Sequence, residues 1–164
     1  MSEDRRSIAL LLDEGFNKAA WHGPNLLGSL RGLTLSELIY RPSLDGHNIW
    51  ELAVHCAYWK STVRGRLIGP RRHAFPLKGS NFLARGKGFT LAQWKSDLAL
   101  LKREHADLKA AILGLDVATY GDRVGASKHT VRRTILGIAA HDIYHAGQIA
   151  LLKRMARGRT RARG

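Results

Sequence analysis

The sequence lacks several features that would assign it to a well-marked class. It has one cysteine, Cys56, in 164 residues, so no disulfide can form within the chain, which fits a reducing compartment. No run of roughly 18 or more apolar residues is present, so we predict no transmembrane helix. The first apolar run, residues 8–12, is short and flanked by acids, unlike a secretory signal peptide. We therefore expect a cytoplasmic, bacterial-type protein with no membrane partner.

Acidic residues are scarce. The chain has 27 Lys and Arg against 13 Asp and Glu, a net charge of +14. The last stretch, Lys153–Gly164, contains six of the basic residues and no acid. Such a balance favours anionic partners, including nucleic acid. No helix-turn-helix or other nucleic-acid recognition motif accompanies the charge, so we favour the interpretation of an ordinary basic surface.

Common catalytic motifs are also missing. The segment Gly86-Lys87-Gly88 lacks the Ser or Thr and the earlier glycine of a phosphate-binding loop. No Gly-x-Ser-x-Gly element is present to support a serine hydrolase. The chemistry must therefore be sought in individual polar residues within helices.

Apolar residues recur at helical spacing in four segments, which predict helices over residues 3–20, 48–67, 90–113 and 130–156. Four amphipathic helices and no strand indicate an all-α bundle spanning residues 1–156. The basic tail, residues 157–164, is predicted to be disordered. The connection at residues 67–89 is long enough to cross the whole bundle, so the second and third helices can be parallel.

Two histidines on the fourth predicted helix, His141 and His145, have the spacing of metal ligands. The i, i+4 spacing places both imidazoles on one face, where they can bind one metal ion. A pair of hydrogen-bonded core histidines is the alternative, and spacing alone favours neither. Asp142 occupies the Glu position of the zinc-protease motif His-Glu-x-x-His. No His, Asp, Glu or Cys follows His145, so any third ligand lies upstream.

His55, in the middle of the second predicted helix, is the best candidate for that third ligand. It lies in an otherwise apolar stretch, where a polar ring needs a partner. Three histidine ligands would leave positions open for water or substrate, as catalytic metal sites do. Zinc and nickel suit imidazole, and so do cobalt and iron. Cys56 points about 100° away from His55, and we interpret it as a core residue.

The segment His141-Asp142-Ile143-Tyr144-His145-Ala146-Gly147-Gln148-Ile149, with Trp50–His55 upstream, resembles the DinB family of bacterial proteins, also called DinB/YfiT-like. The resemblance extends over residues 5–155. It implies a four-helix bundle ordered up-down-down-up, with a long crossover between the second and third helices. It also implies a divalent metal held by His55, His141 and His145, and a homodimer. Related proteins include thiol S-transferases, a mycothiol-dependent isomerase and metal-dependent hydrolases.

Together, the histidines and the resemblance predict a metal-dependent enzyme of thiol S-transferase or hydrolase type. Zinc or nickel would be its metal, and a low-molecular-weight thiol is a candidate cofactor. The alternatives are a basic nucleic-acid-binding protein and a metal-binding bundle without catalysis. The sequence identifies no small-molecule substrate.

Further candidate site residues surround the predicted ligands. Asp142 and Gln148 are candidates to accept the second N–H of a metal-bound imidazole, and Asp142 also to act as a base. A helix-surface or dimer-interface acid is the alternative for Asp142. Tyr144 is a candidate to orient substrate, with packing as the alternative. Basic residues near the end of the second helix are candidates to receive the carboxylates of an anionic thiol, with a solvated patch as the alternative: Arg64, Arg66, Arg71 and Arg72.

Overall fold

The structure, a computed structural model, describes residues 3–69 and 74–161. These residues form six α-helices and one 3₁₀-helix, Val117–Gly121. The α-helices are α1 Glu3–Phe16, α2 Leu26–Ser29, α3 Leu35–Leu38, α4 Ile49–Ile68, α5 Leu91–Gly114 and α6 Val131–Arg161. The described ranges contain no strand, only two isolated bridges. The all-α prediction is therefore confirmed.

Capping boxes fix the starts of α4 and α5. The Asn48 side chain accepts a hydrogen bond from Glu51 N at 2.9 Å, and the Glu51 carboxylate accepts one from Asn48 N at 3.3 Å. Thr90 and Gln93 make the same reciprocal pair at the start of α5. Each box satisfies backbone donors that a helix start leaves free. Both starts lie within one residue of the sequence prediction.

Two helix ends differ from the prediction. Helix α1 ends at Phe16, before the predicted Ala20, because Asn17 N and Lys18 N both donate to Asp13 O and close the last turn. Helix α6 continues past the predicted end at residue 156 as far as Arg161. The tail predicted to be disordered is thus helical over residues 157–161, and residues 162–164 lie outside the described part.

Side-chain contacts explain this longer α6. Arg157 Nε donates to Glu37 Oε1 at 2.6 Å, and another guanidinium nitrogen donates to Gly32 O at 3.0 Å. Gly158 lies inside the helix, where a glycine costs only about 1 kcal/mol relative to alanine. The contacts of Arg157 offset a cost of that size.

The long helices pack around a shared core. Trp50 on α4 is buried, and its indole N–H donates to Asp97 Oδ2 on α5 at 2.8 Å. Phe16 on α1 stacks on His105 of α5, with ring centroids 3.6 Å apart. Gly15 lets α1 approach α6 closely, since a Cβ there would lie 3.2 Å from Ala139 O. Among the described helices, none combines the length and apolarity needed to cross a bilayer.

The connection between α4 and α5 lies against the helices where it is described. Phe82 and Leu83 pack on the core around Trp50. Arg85 N donates to Glu51 Oε1 at 3.0 Å, and Arg85 O accepts from Asn48 Nδ2 at 2.5 Å. These bonds hold the connection over the first turns of α4, next to His55.

Candidate metal centre

Three histidine rings meet between α4 and α6. His55 Nε2 lies 3.1 Å from His141 Nε2, and His145 Nε2 also lies 3.1 Å from His141 Nε2. His55 and His145 are only 4% and 5% exposed. The structure thus brings together the three residues that the sequence analysis selected as metal ligands.

The outward-facing nitrogens of two rings contact oxygen acceptors. His145 Nδ1 lies 2.6 Å from Gln148 Oε1, and His55 Nδ1 lies 3.3 Å from the carbonyl oxygen of Asn81. Neither oxygen can donate, so each Nδ1 carries the proton. Each Nε2 then presents its lone pair to the centre.

Hydrogen bonds among the three rings cannot satisfy all of these lone pairs. A proton on His141 Nε2 can point at His55 or at His145, and the other lone pair keeps no donor. Buried nitrogens without partners are costly. A divalent cation could be bound by all three nitrogens at once, so the donor set fits a metal. Imidazole nitrogens of this kind are preferred by several transition metals.

The histidines are held in the neutral form that metal binding requires. Burial lowers the pKa of His55 to about 4, with a further contribution from the charge of His145. Burial, together with the two neighbouring histidines, lowers the pKa of His141 to about 3. Burial also lowers the pKa of His145, although its hydrogen bond to Gln148 opposes the shift. At neutral pH each ring therefore carries a single proton and keeps one ring nitrogen free to bind a metal.

A cavity of about 590 Å³ opens onto the three rings, and we call it the histidine cavity. Phe82 stacks on His55 with centroids 4.0 Å apart and on His47 at 3.6 Å. Trp59 forms another part of the wall, and its indole N–H donates to Asn81 Oδ1 at 3.0 Å. The centre is therefore accessible to a small molecule while its ligands are supported by aromatic rings.

Comparison with known protein families assigns the chain to one of them. Residues 19–149 match the model of the DinB superfamily, which is most of the chain. The chain belongs to the DinB superfamily. Neither the curated proteins nor the solved structures contain a significant match to it.

Sequence reasoning missed two residues that support the centre of this DinB-superfamily protein. Asn81 and Phe82 lie in the connection that follows α4, which has no periodicity to indicate contacts. The one available signal was Asn81 itself, because asparagine tolerates the left-handed backbone that it adopts here, with φ of 59°. His47, which the sequence analysis did not select, also lines the histidine cavity.

Asp142 does not contact a histidine ring in the way the sequence analysis proposed. Its Oδ2 accepts a hydrogen bond from Lys60 Nζ, and both side chains are buried. Burial raises the pKa of Asp142, and the Lys60 charge opposes that shift. Cys56 lies close to His141 and Asp142, but burial raises the pKa of its thiol well above the usual range. Cys56 therefore remains a protonated core residue.

The arginines that the sequence analysis proposed as binding residues for an anionic thiol lie in different environments. Arg64 is buried and pairs with Glu104 at 3.2 Å and with Asp107, so structural ion pairs occupy it. Arg66 is exposed and lies over the Trp59 ring, 5.4 Å from its centroid. Arg71 and Arg72 lie outside the described residues.

Proposed function

We propose that this DinB-superfamily protein is a metal-dependent enzyme whose divalent metal is held by His55, His141 and His145. The convergence of three Nε2 lone pairs in one accessible cavity carries the proposal. By resemblance to the family, a thiol S-transferase or a hydrolase is the reaction type we favour. Zinc or nickel is the metal we expect, because both suit imidazole ligands.

The open cavity supports catalysis over a purely structural site. Structural zinc sites use four protein ligands, whereas three ligands leave a position for water or substrate. A metal bound here would act as a Lewis acid and lower the pKa of a bound water or thiol, making the nucleophile anionic near neutral pH. The protein supplies the ligands and the cavity that admits the substrate.

Neighbouring residues keep the ligand rings in position. Gln148 fixes the Nδ1–H tautomer of His145, and the Asn81 carbonyl does the same for His55. Gln148 Nε2 in turn donates to the Tyr144 hydroxyl at 3.0 Å. We assign Gln148 and Asn81 positioning roles and Tyr144 a place at the cavity rim.

We also propose the up-down-down-up bundle for the four long helices. Pairs of contacts along each helix support it. Contacts between α4 and α5 follow the same order along both helices, as they do between parallel neighbours. Trp50 contacts Asp97 near the start of each helix, and Arg64 contacts Asp107 further along. Helix α1 contacts α5 and its C-terminal cap in the opposite order, Arg5 with Leu115 at the cap and Phe16 with His105.

The first test is elemental analysis of the purified protein alongside alanine variants of the three histidines. We expect close to one equivalent of metal in the parent and less than a tenth of that in His55→Ala, His141→Ala and His145→Ala. His22→Ala, at a histidine outside the centre, is the control and should bind metal like the parent. If His145→Ala retains the parent's metal content, the ligand assignment is wrong.

A second test separates an enzyme from a metal-binding bundle without catalysis. The metal-loaded protein is assayed for thiol transfer to electrophiles and for ester and amide hydrolysis. Turnover by the parent that is lost, together with the metal, in His145→Ala supports the proposal of an enzyme. Full metal occupancy with no turnover in any assay favours the bundle without catalysis.

Light scattering on the same sample tests the homodimer that the family resemblance implies.

A further inference from the structure

A second cavity lies on the other side of Trp59 from the histidine cavity. It has a volume of about 500 Å³ and is bounded by α4, α6 and the loop before α6. It shares two wall residues with the histidine cavity, Trp59 and His141. We call this second cavity the arginine pocket. A molecule bound in it would lie beside His141, one of the three proposed metal ligands.

Two cations line the arginine pocket. Arg66 extends from α4 and Arg133 from the first turn of α6, and no described lining residue is acidic. Within the described chain, neither guanidinium has a carboxylate at ion-pairing distance. Their near neighbours in sequence differ, since Arg64 pairs with Glu104 and Arg132 with Asp4. Of these four arginines, the two that face the pocket have no acidic partner among the described residues.

Most of the remaining wall of the arginine pocket is apolar, and its other polar members are Ser127, His129, Thr134 and His141. Val63, Leu136 and Ile138 contribute aliphatic walls, and the Trp59 indole lies beneath Arg66. Gly137 leaves space in the wall, because a Cβ built there would meet nothing within 4 Å. Ligand sites commonly combine such apolar walls with a few placed charges. The chemistry therefore suits an apolar body that bears a negative charge.

We infer that the arginine pocket binds the anionic end of an amphipathic organic substrate, with Arg66 and Arg133 receiving its carboxylate, sulfonate or phosphate. The apolar body lies against Trp59, and the reactive end reaches the histidine cavity past His141. This inference rests on the proposed function only for the position of the reacting end. Binding of the anion itself requires no metal, so the two can be tested separately.

The test uses a pair of fluorescent probes that differ in charge. Anilinonaphthalene sulfonate is an amphipathic anion, and N-phenylnaphthylamine is its neutral counterpart. We expect the parent to bind the anion at a saturable site, and Arg66→Gln and Arg133→Gln each to bind it roughly fivefold more weakly, as loss of one partly exposed charge contact predicts. Neither change should alter binding of the neutral probe by more than about twofold. Arg103→Gln, which removes an exposed charge on α5, is the matched control.

A steric variant tests the location independently of charge. A Cβ at position 137 would meet no other atom within 4 Å, so Gly137→Leu should place its side chain in the pocket and reduce binding of both probes by roughly tenfold or more. Gly158→Leu, at a second open glycine of α6, is the control. Parent-like binding of the anion in Arg66→Gln and Arg133→Gln, or no saturable site in the parent, would overturn the inference. Metal content is measured on every variant. A protein without metal contradicts the proposed histidine centre, whereas unchanged probe binding in the arginine variants contradicts the proposed pocket.

Discussion

Lys60 on α4 and Asp142 on α6 form a buried ion pair, with their side chains 0% and 1% exposed. The pair joins the two helices that carry the proposed metal ligands, and Asp142 directly follows His141. Lys60 also lies over the Phe16 ring, 5.0 Å from its centroid, which links the pair to α1. The pair therefore fixes the position of α4 relative to α6 next to the proposed metal centre.

Removing one partner of this pair should strongly destabilise the fold. Lys60→Met leaves the Asp142 carboxylate buried without its cation, and we expect a loss of about 3–5 kcal/mol in the free energy of unfolding. The double variant Lys60→Met with Asp142→Leu should recover most of that loss. Urea denaturation with metal removed measures both.

The control for this prediction is an exposed ion pair. Arg132 and Asp4 have side chains 48% and 52% exposed, so Arg132→Gln should cost less than about 1 kcal/mol. If Lys60→Met costs no more than Arg132→Gln, the buried pair does not hold the helices together.

Gln148 should contribute to metal affinity without binding the metal. Gln148→Leu removes the acceptor for His145 Nδ1–H, and losses of such supporting contacts weaken metal binding by about 10- to 100-fold. Gln148→Glu keeps an acceptor and should bind at least as tightly as the parent. Competition with a chelator of known affinity measures both variants, and equal affinity of Gln148→Leu and the parent would contradict the positioning role.

The helices and the proposed metal ligands could be predicted from the sequence, whereas the contacts around the ligands could not. His141 and His145 could be paired because both lie on one helix, where spacing fixes geometry. A single sequence does not show that Asp142 is buried or that Lys60 is its partner. Phe82 could not be placed over His55, because the path of an aperiodic connection depends on tertiary packing.

Asp13 should make stability depend on pH in the acidic range. Burial raises its pKa, but hydrogen bonds and charges from Lys109 and Lys18 outweigh this, so the pKa is lowered overall. A carboxylate with a lower pKa in the folded state stabilises the fold at neutral pH, and this contribution disappears as the pH falls through that pKa. Asp13→Asn should cost about 1 kcal/mol at pH 7, and the difference from the parent should shrink as the pH falls and vanish once Asp13 is protonated in the folded state.

Urea denaturation across this pH range measures the effect of Asp13→Asn. Asp45→Asn, in an exposed loop, controls for the loss of one acid. A cost for Asp13→Asn that persists unchanged at the lowest pH would contradict the assignment of the effect to this carboxylate.

The C-terminal part of α6 should contribute to stability through Arg157. Arg157→Gln removes the ion pair with Glu37 and the bond to Gly32 O, and should cost about 1 kcal/mol. Arg159→Gln, two residues further along the same helix, removes the same charge and should have little effect. Chemical denaturation of the two variants gives the comparison, and equal stability would show that these contacts do not anchor the helix end.

Asn81 offers a test of whether the connection after α4 positions His55 through its backbone. Asn81 adopts φ of 59°, which glycine tolerates and a β-branched residue does not. Both Asn81→Gly and Asn81→Val lose the side-chain bond to Trp59, so the comparison isolates the carbonyl that accepts from His55. Asn81→Gly should keep metal affinity within about threefold of the parent, whereas Asn81→Val should lower it by about tenfold or more by displacing the carbonyl. Chelator competition measures both affinities, and equal loss in the two variants would mean that the amide side chain supports the centre and the backbone carbonyl does not.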